Sequence, residues 1–234
     1  MSESNSQIMK EKFLKGLKWF FNSYIWLGIL LLIIDIVTKN IIVQNQDKIN
    51  GGEHGGVDLI PGFLGVNYVI NNRIIFGLNI FKNDIATRIV FIVVALLVTI
   101  GIIIYLTKKW DKVNRFYKAC LFMIISGALG NAIDRIFYSA QYLNYINSET
   151  GEYITGVVDW IDFYGIWNFN FNIADSAVVV AAFMLIIYMI VVEIMDYAKK
   201  RKLEPKKAED NTKVLSKTEQ EKNKYLEQKE SKDE

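Results

Sequence analysis

Histidine and cysteine are almost missing from this 234-residue chain, which has one of each. A lone cysteine, Cys120, sits inside an apolar run and excludes an internal disulfide. The lone histidine, His54, lies in a glycine-rich loop with no clustered partner. That argues against a zinc site, which needs three or four N, S or O ligands, and against a Ser-His peptidase. A third absence is positional. Between Tyr138 and Asn170 there is no lysine or arginine, while Glu149, Glu152, Asp159 and Asp162 are all there.

What the chain has in quantity is apolar sequence, 52% of its residues. Four runs, about 24–43, 85–107, 116–137 and 171–195, each approach the roughly 20 residues that cross about 30 Å of hydrocarbon. The first run is too long for a signal-peptide core and is read as a retained span. Lysine and arginine gather before span one (Lys10, Lys12, Lys15, Lys18), between spans two and three (Lys108, Lys109, Lys112, Arg115) and after span four (Lys199, Lys200, Arg201, Lys202). Positive loops stay in the cytoplasm, so both termini are expected there, with the 138–170 connection outside. Residues 1–198 then form the membrane domain. The mixed-charge stretch 199–234 has too little apolar surface to fold alone and is expected to be a disordered, solvated or weakly helical tail.

The segment from Val57 to Phe81 breaks the helical pattern. Pro61-Gly62 marks a turn, and Phe63 to Ile70 is rich in β-branched and aromatic residues, so short strands are expected outside the membrane. Trp26, Trp167 and Phe169 suit an interfacial aromatic belt, and Arg88 is expected to reach the outer headgroups.

The few polar residues of the spans share one end. Asp35 and Lys39 lie in the second half of span one, Asn131, Asp134 and Arg135 close span three, and Asn172 and Asp175 open span four. An aspartate in a span costs about 2.5–3.5 kcal/mol on insertion scales, so several at one depth point to a functional centre. Bland readings cover part of this. Asp35 and Lys39, four apart, can form a structural ion pair. Gly127, Ala128 and Gly130 suit close helix packing. Asn172 can cap a helix. None of them explains Asp175, one turn into span four. Two carboxylates held close share a proton, so one can activate water while the other donates to a carbonyl oxygen. A small transporter using Asp35, Lys39, Asp134, Arg135 and Asp175 as a proton or ion relay is the alternative, though no polar residue continues the path through the inner halves of spans two and four, Thr99 in the middle of span two coming nearest. A non-catalytic scaffold is the third reading.

Asp35-Ile-Val-Thr-Lys39, Asn71-Asn-Arg-Ile-Ile-Phe-Gly77, Gly127-Ala-Leu-Gly-Asn131-Ala-Ile-Asp-Arg135, and Val157-Val-Asp159 with Phe171-Asn172-Ile-Ala-Asp175-Ser176 stand in this order. Together they resemble the motifs of lipoprotein signal peptidase, also called signal peptidase II. The resemblance covers about Tyr24 to Met195. It implies a mainly α membrane protein with four spans and a small extracytoplasmic β-sheet around Val57 to Phe81. It implies an aspartic endopeptidase of the bacterial inner (cytoplasmic) membrane, cutting signal peptides from prolipoproteins just before a diacylglyceryl cysteine, with no metal or cofactor. By motif, Asp159 and Asp175 would be the catalytic pair. Asn131, Arg135 and Asn172 would orient the pair and the peptide, and Asp35, Lys39 and Asn71 would support the pocket. Prolipoproteins and membrane lipids are the expected partners, nucleic acid is not, and a monomer is expected. The chain departs from the pattern at Arg73, Ile74 and Ile75, where Asn72 competes with Asn71. It departs again in a longer Arg135–Asp159 connection with an insertion around Gln141 to Gly156. Asp162 stands in reserve for Asp159.

Overall fold

The computed structural model describes residues 3–50, 56–71, 84–137, 156–164, 166 and 169–230. The calls on His54, Asn72, Arg73 to Ile75, Trp167 and almost all of the 141–156 insertion fall outside them. Helices α1 (Glu3–Ser23), α2 (Ile25–Gln44) and α3 (Gln46–Asn50) lead into strands β1 (Gly56–Ile60) and β2 (Leu64–Asn71). Helices α4 (Asp84–Lys109) and α5 (Arg115–Phe137), strand β3 (Val157–Asp162) and helix α6 (Ile173–Glu230) follow. The chain divides into two units, Met1–Leu185, which holds everything described below, and Ile186–Glu234, the remainder of α6.

Four helices are long and apolar enough to span a membrane: Ile25–Gln44, Ile85–Lys109, Arg115–Phe137 and Ile173–Arg201. They match the expected runs to within a few residues, apart from the longer end of the last. α5 is the most enclosed of the first three, with half of its span buried against 22% for α2 and 11% for α4. Its small residues make that possible. A Cβ on Gly127 would strike the Ala174 backbone and the Val178 side chain, and one on Gly130 would strike the Asp35 carboxylate and Ala174. The apolar side chains of α4, such as Val94, Leu97 and Ile103, are exposed, as suits a lipid-facing surface. α6 is helix through to Glu230, into the 199–234 stretch whose composition suggests a solvated tail. Lysine and glutamate are good helix formers, so this needs no packed partner.

The sheet is antiparallel in the order β1-β2-β3. Strands were expected only between Val57 and Phe81, and the sheet adds a third from the 138–170 connection, the segment that carries Asp159. Asn71 pairs with Val157, Ile70 with Val158 and Val69 with Asp159. The sheet rests on the end of α2 through a small core of Ile42, Ile49, Tyr68 and Val158. Its last strand is then tied to the start of α6. The Phe171 N–H donates to the Ile161 carbonyl at 3.0 Å, and the Trp160 and Ile161 N–H groups donate to the Phe171 carbonyl at 2.7 and 2.8 Å. This short ladder sets Asn172 and the first turn of α6 beside Asp159.

Candidate active site

The polar residues of α2, α5, β3 and α6 form two adjoining clusters. In the first, Lys39 of α2 is wholly enclosed, and Asp35 and Asp134 are about 1% exposed. The Lys39 Nζ lies 2.7 Å from Asp35 Oδ2 and 2.9 Å from Asp134 Oδ2. It also donates to Asn131 Oδ1 at 3.2 Å, so its three protons have three acceptors. The carboxylates reach onward. Asp35 Oδ1 accepts the Ala174 N–H at 2.8 Å, which satisfies an open donor in the first turn of α6. Asp134 Oδ2 accepts the Val158 N–H at 3.3 Å. One ammonium thereby joins two helices, the sheet and the start of α6. The expected Asp35–Lys39 pair is present. Asp134 is a second partner of Lys39 that the sequence reading, which placed Asp134 only in the relay of the transporter alternative, did not expect. Its place three residues after Asn131 was the available signal.

In the second cluster, two carboxylates are held by neutral amides. Asp159 Oδ2 accepts from Asn71 Nδ2 at 2.8 Å, and its Oδ1 accepts from Asn172 Nδ2 at 2.7 Å. Asp175 Oδ1 accepts from Asn131 Nδ2 at 2.8 Å, and its Oδ2 accepts the Asn172 backbone N–H at 3.2 Å. In return, Asn172 Oδ1 accepts the Asp175 N–H at 2.9 Å, which makes a reciprocal capping box at the start of α6. Asn172 Nδ2 also approaches Asn131 Oδ1 at 3.1 Å. Asn172 is thus a helix cap, as one reading expected, and the link between the two carboxylates as well. Asn131 is the hinge between clusters, its oxygen facing Lys39 and its nitrogen facing Asp175.

Asp159 is 2% exposed. Burial, and then the negative charge of nearby Asp175, push its carboxyl from the ordinary range up to about 7, against the opposing pull of the Asn71 and Asn172 amides and the Lys39 charge. A carboxyl in that state holds or yields a proton near neutral pH, which suits acid–base chemistry.

The remaining candidates separate. Arg135 donates to the Asn131 backbone carbonyl at 3.2 Å and lies 4.5 Å over the Phe91 ring. It forms no ion pair with Asp159 or Asp175. Asp162, the reserve, sits at the far end of β3 and accepts from Asn67 Nδ2 at 3.0 Å. Arg88 corrects an expectation. Its guanidinium donates to the Arg135 and Ile136 carbonyls, the unsatisfied end of α5, where outer headgroups were the expected target. Among the described residues, no group of three or more His, Cys, Asp and Glu side chains is arranged to hold a metal ion.

Comparison with known proteins gives the family of the chain. Residues 27–191 match the family model described as signal peptidase (SPase) II. A lipoprotein signal peptidase of Fusobacterium nucleatum subsp. nucleatum is 34% identical over 164 residues, which is 70% of this chain and 84% of that protein. One from Clostridioides difficile (strain 630) is 34% identical over 170 residues, 73% of this chain and 96% of that protein. Among solved structures, a bacterial membrane enzyme determined by the in meso method at 2.3 Å resolution superposes with a TM-score of 0.55. It shares 27% identity over 73% of this chain and 89% of its own.

Proposed function

The chain belongs to the signal peptidase II family of aspartic peptidases, and on that premise we propose that it cleaves signal peptides from diacylglyceryl-modified prolipoproteins, just before the lipid-bearing cysteine, with Asp159 and Asp175 activating water. One observation carries this reading. Asn172 donates to Asp159 through its side chain at 2.7 Å and to Asp175 through its backbone at 3.2 Å, so a single residue holds both carboxylates at the junction of sheet and helix.

The chemistry follows from two acids that cannot both ionise comfortably. The ionised carboxylate takes a proton from water as the oxygen attacks the scissile carbonyl carbon. The protonated carboxyl donates to the carbonyl oxygen as it becomes tetrahedral. Collapse of that intermediate breaks the C–N bond, with a proton delivered to the leaving amine. Asn71, Asn131 and Asn172 orient the carboxylates without adding a charge that would lock either ionisation state. Asp35 and Lys39 hold the start of α6 in place through the Ala174 N–H. Arg135 steadies Asn131 through its carbonyl.

The lysine and arginine distribution supports cytoplasmic termini and a site facing the extracytoplasmic side of the bacterial cytoplasmic membrane. The sheet then lies at the outer surface. The signal helix of the substrate runs beside the bundle, its acyl chains in lipid, so the scissile bond arrives at a fixed depth. This is catalysis by placement as much as by acid and base.

The test incubates purified protein with a diacylglyceryl-modified prolipoprotein and follows the shift in gel mobility. Wild type converts the substrate, and Asp159→Asn and Asp175→Asn fold and insert but leave it uncut. Conversion by either variant at a substantial rate overturns the assignment.

A further inference from the structure

Helix α1 precedes the 27–191 family match and contributes no residue to the polar clusters. At 3.6 residues per turn its side chains sort into two faces. Met9, Phe13, Leu17 and Phe20 follow one face, with Leu14 and Phe21 at its edge. Lys12, Lys15 and Lys18, with Glu11 and Asn22, follow the other, which also carries Ile8 and Trp19, while Lys10 falls at the apolar side between Leu17 and Phe21. The apolar face is not packed into the protein. Met9 is 54% exposed, Phe13 67% and Leu17 41%.

The C-terminal end of α1 is held firmly. Ser23 Oγ donates to the Phe20 carbonyl at 2.7 Å and accepts the Ile25 N–H at 3.2 Å. Tyr24 takes a left-handed conformation, φ 63°, which breaks the helix before the span begins. The Trp26 indole N–H donates back to the Phe21 carbonyl at 3.1 Å. Trp19 stacks on Trp110 with ring centroids 5.7 Å apart, and the Lys118 ammonium lies 4.1 Å from the Trp110 ring centroid. Trp110 belongs to the α4–α5 connection, beside Lys108, Lys109 and Lys112. The break at Tyr24 therefore falls where α2 enters the bilayer, among aromatic and cationic residues at the end of the bundle opposite the polar clusters.

We propose that α1 lies along the membrane surface as an amphipathic anchor on anionic lipid, its Met9–Phe13–Leu17 face among the acyl chains and its lysines at the headgroups. Three features select this occupant. The helix ends one residue before a membrane span, so its apolar face starts at headgroup depth. Its opposite face is cationic, which complements an anionic leaflet. Its junction carries Trp19, Tyr24 and Trp26, the residue types that settle at the lipid–water boundary. The proposal rests on the four-span reading and is independent of the aspartate chemistry.

The test uses the full chain with Cys120→Ala and one spin label, at Phe13→Cys or at Lys15→Cys, in vesicles of phosphatidylcholine with or without phosphatidylglycerol. Power saturation compares collisions with oxygen, enriched in lipid, and with a water-soluble nickel chelate. With phosphatidylglycerol present, the oxygen-to-nickel ratio at position 13 is expected to exceed that at position 15 by about threefold or more, as a helix lying in the interface requires. The contrast should fall in phosphatidylcholine alone, and also in a variant carrying Lys12→Glu and Lys18→Glu. Equal nickel access at both positions would mean a helix in water and overturns the proposal. So does a position-13 label that is immobile and shielded from both reagents, which means a protein partner or second copy covers that face. A contrast indifferent to lipid charge overturns the anionic preference. Prolipoprotein cleavage by the same labelled samples reports the aspartate site separately, so the two readings fail independently.

Discussion

Two pairs of carboxylates lie side by side in this protein and are treated in opposite ways. Asp35 and Asp134 share an ammonium, Lys39, at 2.7 and 2.9 Å. Asp159 and Asp175 share a neutral residue, Asn172. Yet all four belong to one connected network through Asn131. A cation set between two buried carboxylates offsets their charge, and removing it leaves that charge uncompensated. A buried carboxylate held by amides alone keeps both protonation states within reach. The first pair is built to hold secondary-structure elements together. The second is left able to exchange a proton. Under the proposed function, the same residue type at nearly the same depth serves architecture where a lysine faces it and chemistry where asparagines do.

The largest expected effect tests the second pair. Asp159→Asn or Asp175→Asn should lower cleavage by about 10²–10⁴-fold or more, the range general acid–base groups supply. Thermal unfolding in detergent at about pH 5 should stay close to wild type, because asparagine preserves the shape and some of the hydrogen bonds, and the ionisation of Asp159 has cost wild type little at that pH. If Asp35→Asn abolished cleavage just as completely while leaving stability intact, the distinction between the pairs would dissolve. Next in size comes the lysine. Lys39→Met strands two enclosed carboxylates and should cost about 3–5 kcal/mol of stability. It would be read as a lower unfolding temperature, with activity falling in step. A Lys39→Met protein as stable as wild type but inactive would move Lys39 from the architectural cluster to the chemical one.

A smaller effect concerns pH. The Asp159 carboxyl titrates near 7 in the folded protein and near 4 when unfolded. Below both values the proton is on the group in either state, so nothing is lost. As pH rises from about 4 to about 7, the unfolded chain ionises first and unfolding releases a proton, so stability falls across that window and levels off above it. Asp159→Asn removes this dependence and should therefore stabilise the protein more at pH 8 than at pH 5. The Asn71 amide favours the charged form of Asp159. Asn71→Leu should accordingly move the Asp159 limb of the kcat/KM profile to higher pH. A limb that stays in place or moves down would separate Asn71 from the pair.

Much of this was legible before any coordinates. Long apolar runs encode spans by composition alone, and the four helices follow them. Asp35 and Lys39 are one helical turn apart, so their pairing is local. So is the cap that Asn172 places on α6. The parts that were not legible are contacts between distant segments. β3 is six residues long, and although Val157, Val158, Trp160 and Ile161 favour a strand, nothing in them names its partner. It becomes a strand because β2 offers an edge. The second carboxylate on Lys39 comes from another helix, and Arg88 finds the end of α5 only once α4 and α5 pack. No periodicity records such encounters. The family resemblance supplied the pairing of Asp159 with Asp175, which the residues alone left open among several aspartates.

The finest cut through the comparison lies within one strand. Asp159 and Asp162 are three residues apart on β3, and both accept an asparagine amide from β2, at 2.8 Å from Asn71 and at 3.0 Å from Asn67. Spacing alone could not choose between them. The difference is the partner across the gap, since Asp159 meets Asn172 and the charge of Asp175, and Asp162 has neither. Asp162→Asn should therefore cleave within about twofold of wild type, because a partly exposed carboxylate outside the network contributes little to a barrier set elsewhere. An Asp162→Asn protein as inactive as Asp159→Asn would mean that the strand presents its catalytic acid three residues farther on and from the opposite face of the sheet, and that the Asn172 contact to Asp159 only ties β3 to α6.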